Sequence, residues 1–114
     1  MKILKAKIKW FPKKIINVTK DNLKIDWEQK HLDQVKKFMK KDGLMFPGVI
    51  KDDEIHCGHY RLKIAKEMGY DGIEMYNVDT FKEVLYLTQF SELCYKHYKE
   101  LKELKIKHKI KNYL

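Results

Sequence analysis

Four consecutive residues, Gly58, His59, Tyr60 and Arg61, carry the clearest chemical potential in this chain, because Arg61 is its single arginine against 24 lysines. Lysine presents a mobile point charge, whereas arginine presents a planar fork of donors that matches two phosphate or carboxylate oxygens at once. A glycine ahead of it lets the backbone turn sharply and approach a ligand. A helix starting there turns unpaired amides toward an anion. The spacing therefore points to phosphate or carboxylate binding by Gly58, His59, Tyr60 and Arg61, with His59 as a candidate catalytic general acid. Two plainer readings compete with it. An A/T-rich coding bias leaves one arginine by chance, and an Arg61 paired with Asp52, Glu54 or Glu74 would only pin a hairpin.

Other groups nearby are weaker. His56, Cys57 and His59 resemble a metal set, but strand alternation sends His56 and Cys57 to opposite faces, so no metal ligands are assigned. Asp52, Asp53 and Glu54 read as a solvated turn that is also within reach of the box. Tyr60, Tyr70 and Tyr76 suit either base stacking or packing. Cys57 and Cys94 lie far apart without CxxC spacing, which fits reduced thiols.

The net charge of +9 is concentrated at the ends. Residues 1–25 hold eight lysines against Asp21, a net +7, and residues 91–114 hold seven lysines against three glutamates, a net +4. The segment between them is slightly acidic. Basic ends either attract nucleic-acid phosphates or keep a small protein in solution. Lys96, Lys99, Lys102 and Lys105 alternate with Glu92, Glu100 and Glu103 and read as a solvated helix face. Lys105, Lys107, Lys109 and Lys111 lack compensating acids and are the candidate nucleic-acid tail.

The elements that must position the box follow from periodicity. Lys2 to Trp10 alternates as a half-buried strand ended by Pro12, and Ile15 to Val18 is a second short strand before an Asp21-Asn22 turn. A helix capped by Asp26 brings Trp27, Leu32, Val35, Phe38 and Met39 to one side and stops at Asp42-Gly43. Phe46 to Ile50 and Ile55 to Cys57 form a hairpin around a polar turn. Gly58 breaks the second strand, Tyr60 to Met68 is helical, and Gly69 ends it. Ile73 to Val78 is a further strand. Thr80 and Glu83 form a capping box for a long helix whose stripe runs through Val84, Leu85, Leu87, Phe90, Leu93, Cys94, Tyr98 and Leu101.

This order, helix, hairpin, Gly-x-x-Arg, helix, strand, resembles the ParB/sulfiredoxin superfamily over about residues 23–92. The resemblance rests on Gly58-His59-Tyr60-Arg61-Leu62-Lys63-Ile64-Ala65, on the approach Gly43-Leu44-Met45-Phe46-Pro47-Gly48-Val49-Ile50, and on the return Met68-Gly69-Tyr70 with Ile73-Glu74-Met75. The box is most similar to that of the free-serine kinase branch, Asp-Gly-His-His-Arg, although Cys57 replaces the acid. Sulfiredoxin-like members carry their cysteine two residues before the arginine, where His59 stands, so sulfinic-acid reduction is not expected. Chromosome-partitioning members follow a Gly-Glu-Arg-Arg box with a Glu-Asn pair, where this chain has Thr88-Gln89.

Residues 1–114 are thus expected to form one mixed α/β domain with a short mixed sheet, flanking helices and a basic C-terminal helix or tail over 93–114. The resemblance implies a ParB-like domain that binds a phosphate-bearing ligand, foremost a nucleotide, with phosphoryl transfer or nucleotide hydrolysis as the reactions open to it. Magnesium would accompany the nucleotide as cofactor. The alternatives are a DNA- or RNA-binding module of ParB-like nuclease type, using the same box and the lysine-rich ends, and a catalytically degenerate protein-interaction module. No apolar run approaches the roughly 20 residues that cross a bilayer, and the lysines of Met1 to Lys7 break up any signal-peptide core, so a cytoplasmic protein without membrane partners is expected.

Overall fold

Among the described residues five strands form one mixed sheet, in the order β1 (Ile3–Leu4), β5 (Gly72–Asn77), β3 (Gly48–Lys51), β4 (Glu54–Cys57), with β2 (Ile15–Val18) also paired to β5. The computed structural model describes residues 1–9, 11–20, 25–43 and 45–96. Its elements are β1 (Ile3–Leu4), β2 (Ile15–Val18), α1 (Gln29–Lys37) continuing into a π-helical turn (Phe38–Asp42), β3 (Gly48–Lys51), β4 (Glu54–Cys57), α2 (His59–Glu67), β5 (Gly72–Asn77) and α3 (Phe81–Lys96). The expected mixed α/β class is present. The segment beyond Lys96, with the lysines 105, 107, 109 and 111 and the apolar positions 98 and 101, lies outside the described residues.

The sheet is covered on both faces, and the alternation along β5 shows why. Ile73 and Met75 join one core with Leu32 and Val35 of α1 and Leu62, Ile64 and Ala65 of α2. Tyr76 and Val78 join a second core with Val84, Leu87, Phe90 and Cys94 of α3. Neighbouring residues of a strand face opposite sides, so β3 likewise sends Ile50 to the first core and Val49 to the second. The fully sheltered β5 reads as a continuous buried run from Gly72 to Tyr76, as expected of a central strand with helices on both sides.

Three expectations change. The alternation from Lys2 to Trp10 predicts a long strand, but β1 pairs with β5 only at Ile3 and Leu4. β2 occupies the same edge of β5 from Ile73 to Tyr76 and leaves no ladder for the residues that follow. Ala6 and Ile8 are still buried, held instead by the Glu74 carboxylate, which accepts the Ala6 amide at 2.8 Å, and by the Met45 carbonyl, which accepts the Ile8 amide at 3.3 Å. Asp26 does not cap α1. Glu28 occupies the N-cap position without a side-chain hydrogen bond, and Gln29 bonds Asp33 one turn on. On α3, finally, Leu85 and Leu93 of the expected apolar stripe are exposed, because its core face runs through positions 84, 87, 91 and 94.

The Asp21-Asn22 turn lies outside the described residues, while the hairpin turn and the start of the last helix are as read. The hairpin turns through Asp52 and Asp53, both at positive φ, the geometry that a two-residue hairpin requires and that aspartate tolerates. Thr80 and Glu83 form the capping box, with the Glu83 amide donating to Thr80 Oγ1 at 3.2 Å and the Thr80 hydroxyl donating to Glu83 Oε1 at 2.9 Å.

Candidate functional site

The junction of β4 and α2 is built on two glycines placed back to back. Gly58 sits at φ 105° as the N-cap of α2, and a Cβ there would lie 2.9 Å from the Gly48 Cα. A Cβ on Gly48 would in turn meet the Cys57 carbonyl at 2.7 Å. Only paired glycines let β3 and the turn approach this closely. No side chain caps α2, and its first bond of the ordinary kind runs from the Leu62 amide to the Gly58 carbonyl. The amides of His59, Tyr60 and Arg61 thus have no acceptor within the helix.

A cavity of about 380 Å³ opens in front of this turn. The four residues singled out from the sequence, Gly58, His59, Tyr60 and Arg61, all line it, together with His56, Cys57 and Thr88. His31, Gln34 and Val35 of α1 and Ser91, Glu92, Tyr95 and Lys96 of α3 complete the wall. Among the described residues its lining has one carboxylate, Glu92, against Arg61, Lys96 and three histidines.

Arg61 is 4 % exposed, and its fork is turned inward. Nη1 donates to the carbonyls of Phe46 and Pro47, the latter at 3.0 Å, while Nη2 donates to Cys57 Sγ at 2.9 Å. The guanidinium carbon stands 5.5 Å from the Tyr95 ring centroid. No carboxylate pairs with Arg61 among the described residues. Of the acids that would have made Arg61 a simple hairpin pin, Asp52 pairs with Lys51 and Glu74 with Lys5 and Lys9, while Glu54 is exposed and forms no ion pair with Arg61; the neighbouring Asp53 pairs with Lys20. The fork therefore braces the Phe46-Pro47 approach, and what it contributes to the cavity is positive charge.

The neighbours differ in how much of them remains for a ligand. The His59 pKa is lowered by burial; a hydrogen bond from its ring to the Ile55 carbonyl opposes that shift, and the charges of Arg61 and His56 reinforce it. It is neutral at pH 7. The Tyr60 hydroxyl accepts the Glu28 amide at 3.1 Å, and its ring meets Trp27 and His31 edge to face, at 5.0 and 4.3 Å between centroids. Tyr60 thereby fixes α1 against α2. Burial pushes the Tyr95 hydroxyl up to about 12, against the opposing charge of Arg61. His56 packs edge to face on Phe81, and no group of three His, Cys, Asp or Glu side chains among the described residues is placed to hold a metal ion. Asp52, Asp53 and Glu54 are exposed on the hairpin tip and lie outside the cavity lining.

Sequence spacing does not reveal the contribution of α3. Ser91 is 3 % exposed and lines the cavity. Its signal was a polar residue on the buried side of a helix, between Leu87 and Cys94, the kind of position where a polar group needs a partner. Thr88, read as the counterpart of a family acid, also faces the cavity, whereas Gln89 is exposed and does not line it.

What fold and site define is an α/β domain with an electropositive cavity at a glycine-opened helix N-terminus. No protein-family model matches the chain, and neither a curated protein nor a solved structure does. No helix among the described residues is long and apolar enough to cross a membrane.

Proposed function

We propose that this is a ParB/sulfiredoxin-type domain that binds a phosphate-bearing ligand, foremost a nucleotide, in the cavity at the start of α2. One observation carries the reading: Arg61 is a buried cation with no carboxylate beside it among the described residues, on the wall of an open cavity. A sheltered charge without a counter-charge is costly, and an anionic ligand supplies what the protein leaves out. The amides of His59, Tyr60 and Arg61 give the hydrogen bonds, while Arg61 and Lys96 give the charge. His59, neutral at pH 7 and already bonded to the Ile55 carbonyl, orients the turn and is the group closest to a proton-transfer role. With Glu92 as the lone carboxylate in the described lining, magnesium would enter with the nucleotide's own phosphates as its principal ligands. Free Cys57 and Cys94 fit a reducing, cytoplasmic setting.

The nucleic-acid alternative gains from a different place than the chain ends. Lys5, Lys9, Lys13 and Lys20 of the basic N-terminal segment are engaged by Glu74, Asp79, Glu83 and Asp53. Lys30, Lys37, Lys40 and Lys41 on α1 and its π-turn are exposed, and none forms an ion pair among the described residues. That helix also contributes His31 and Gln34 to the cavity, so a phosphate backbone laid along it would reach the same turn.

Thermal shift with inorganic phosphate and a panel of nucleoside triphosphates, with and without magnesium, tests the reading. A ligand at about 100 times its Kd stabilises by about 2.7 kcal/mol. Ser91→Asp, which supplies an internal acid, and Lys96→Glu on the cavity rim should each weaken the response about tenfold or more. Absence of any phosphate or nucleotide response in the wild-type chain would sink the proposal.

A further inference from the structure

The cavity holds a free thiol that anion binding leaves unused. Cys57 closes β4, is half-buried, lines the cavity, and accepts the Arg61 Nη2 hydrogen bond on its sulfur at 2.9 Å. Cys94 is its opposite. It is 1 % exposed within the α3 core, and burial pushes its thiol up to about 12, with the Arg61 charge opposing. Nucleophilic cysteines occupy partly exposed, electropositive surroundings, whereas cysteines packed in a core are inert. Cys57 has surroundings of the first kind and Cys94 of the second.

Two independent features point to a small polar molecule in front of Cys57. Ser91, almost wholly buried, lines the same cavity and offers it a hydroxyl. Arg61, hydrogen-bonded to the sulfur, carries a charge that no described carboxylate matches. A hydroxyl and a cation so placed suit a molecule with an anionic group, and that molecule would lie against the sulfur.

We propose that Cys57 is a nucleophilic thiol that selects electrophiles bearing an anionic group, the anion being held by the α2 amides, Ser91 and the Arg61 charge. This rests on the anion-cavity reading above. The sulfur lone pair forms a bond to the electrophilic atom. The bond from that atom to its leaving group breaks, the leaving group departs with the electron pair, and the thiol proton passes to water. No external oxidant or reductant is involved.

Alkylation of the full chain with anionic iodoacetate and neutral iodoacetamide, resolved by cysteine in mass spectrometry, reads this out. In that reaction the S–C bond forms, the C–I bond breaks and iodide leaves. The chain unfolded in urea gives the unassisted rates. Native Cys57 should react at least about tenfold faster than Cys94, and its iodoacetate-to-iodoacetamide rate ratio should exceed that of the unfolded chain by about fivefold or more. Cys57→Ser should abolish the fast adduct, and Lys96→Glu should pull the ratio back. A native Cys57 no faster than Cys94, or a ratio equal to that of the unfolded chain, overturns the inference. Selective anionic labelling that saturating inorganic phosphate fails to slow would leave the thiol standing and remove the phosphate reading; phosphate stabilisation with an unreactive Cys57 would do the reverse.

Discussion

Replacing Arg61 by methionine keeps the length of the stem and removes the charge, so it separates the structural share of this residue from its share in binding. In the structure Nη1 reaches two buried carbonyls, of Phe46 and Pro47, where the chain approaches β3. A hydrogen bond from a charged donor contributes about 1.5–3 kcal/mol, so losing both costs about 3–6 kcal/mol. Removing a buried cation without an acidic partner returns part of that, and the methionine stem retains the packing on Tyr95. The expected net loss is about 2–4 kcal/mol. In a domain of this size that is a Tm lower by about 10–20 °C. Urea unfolding followed by circular dichroism, with the m-value fixed by the wild type, measures it. The variant should also lose the stabilisation by inorganic phosphate. A net change below about 0.5 kcal/mol would show that the two carbonyls do not depend on Arg61, and the inward-turned fork would then have no structural purpose.

Two further outcomes follow from the same region. Gly58→Ala must hold φ near 105° with a Cβ 2.9 Å from the Gly48 Cα, so it should cost about 2–4 kcal/mol in urea unfolding, and a loss under about 0.5 kcal/mol would mean that the turn relaxes freely. His59, whose pKa is lowered by folding, binds a proton more readily in the unfolded chain. Stability should therefore fall as pH drops through the ordinary histidine value near 6.5. His59→Gln should flatten this part of the urea midpoint against pH, and an unchanged slope would assign it to another group.

Much of the frame was legible because it is written locally. Gly58 and Gly69 bracket α2, Asp52-Asp53 makes the hairpin turn, and Thr80 with Glu83 starts α3, each through a backbone geometry that its own residues favour. The four residues of the box were likewise legible as neighbours of one cavity, since a strand end and the helix after it share a corner. The length of β1 was not, because alternation records which side chains are buried and not which edge of β5 is vacant. Nor was the wall supplied by α3, whose Ser91 and Lys96 stand 30 or more residues from Arg61.

By itself the sequence determined that a lone arginine would follow a glycine at a strand-to-helix turn inside a small mixed α/β domain, because turn chemistry and hydrophobic period act over a few residues. Tertiary structure alone decided which way that arginine points. Its fork lies on the Phe46 and Pro47 carbonyls and the Cys57 sulfur because β3 packs beside the turn and α3 closes over it, and Asp52, Asp53 and Glu74 are engaged by lysines instead. Pairing of charges depends on distances set by the whole fold, and among the described residues the buried Arg61 on the cavity wall is left without an acid beside it.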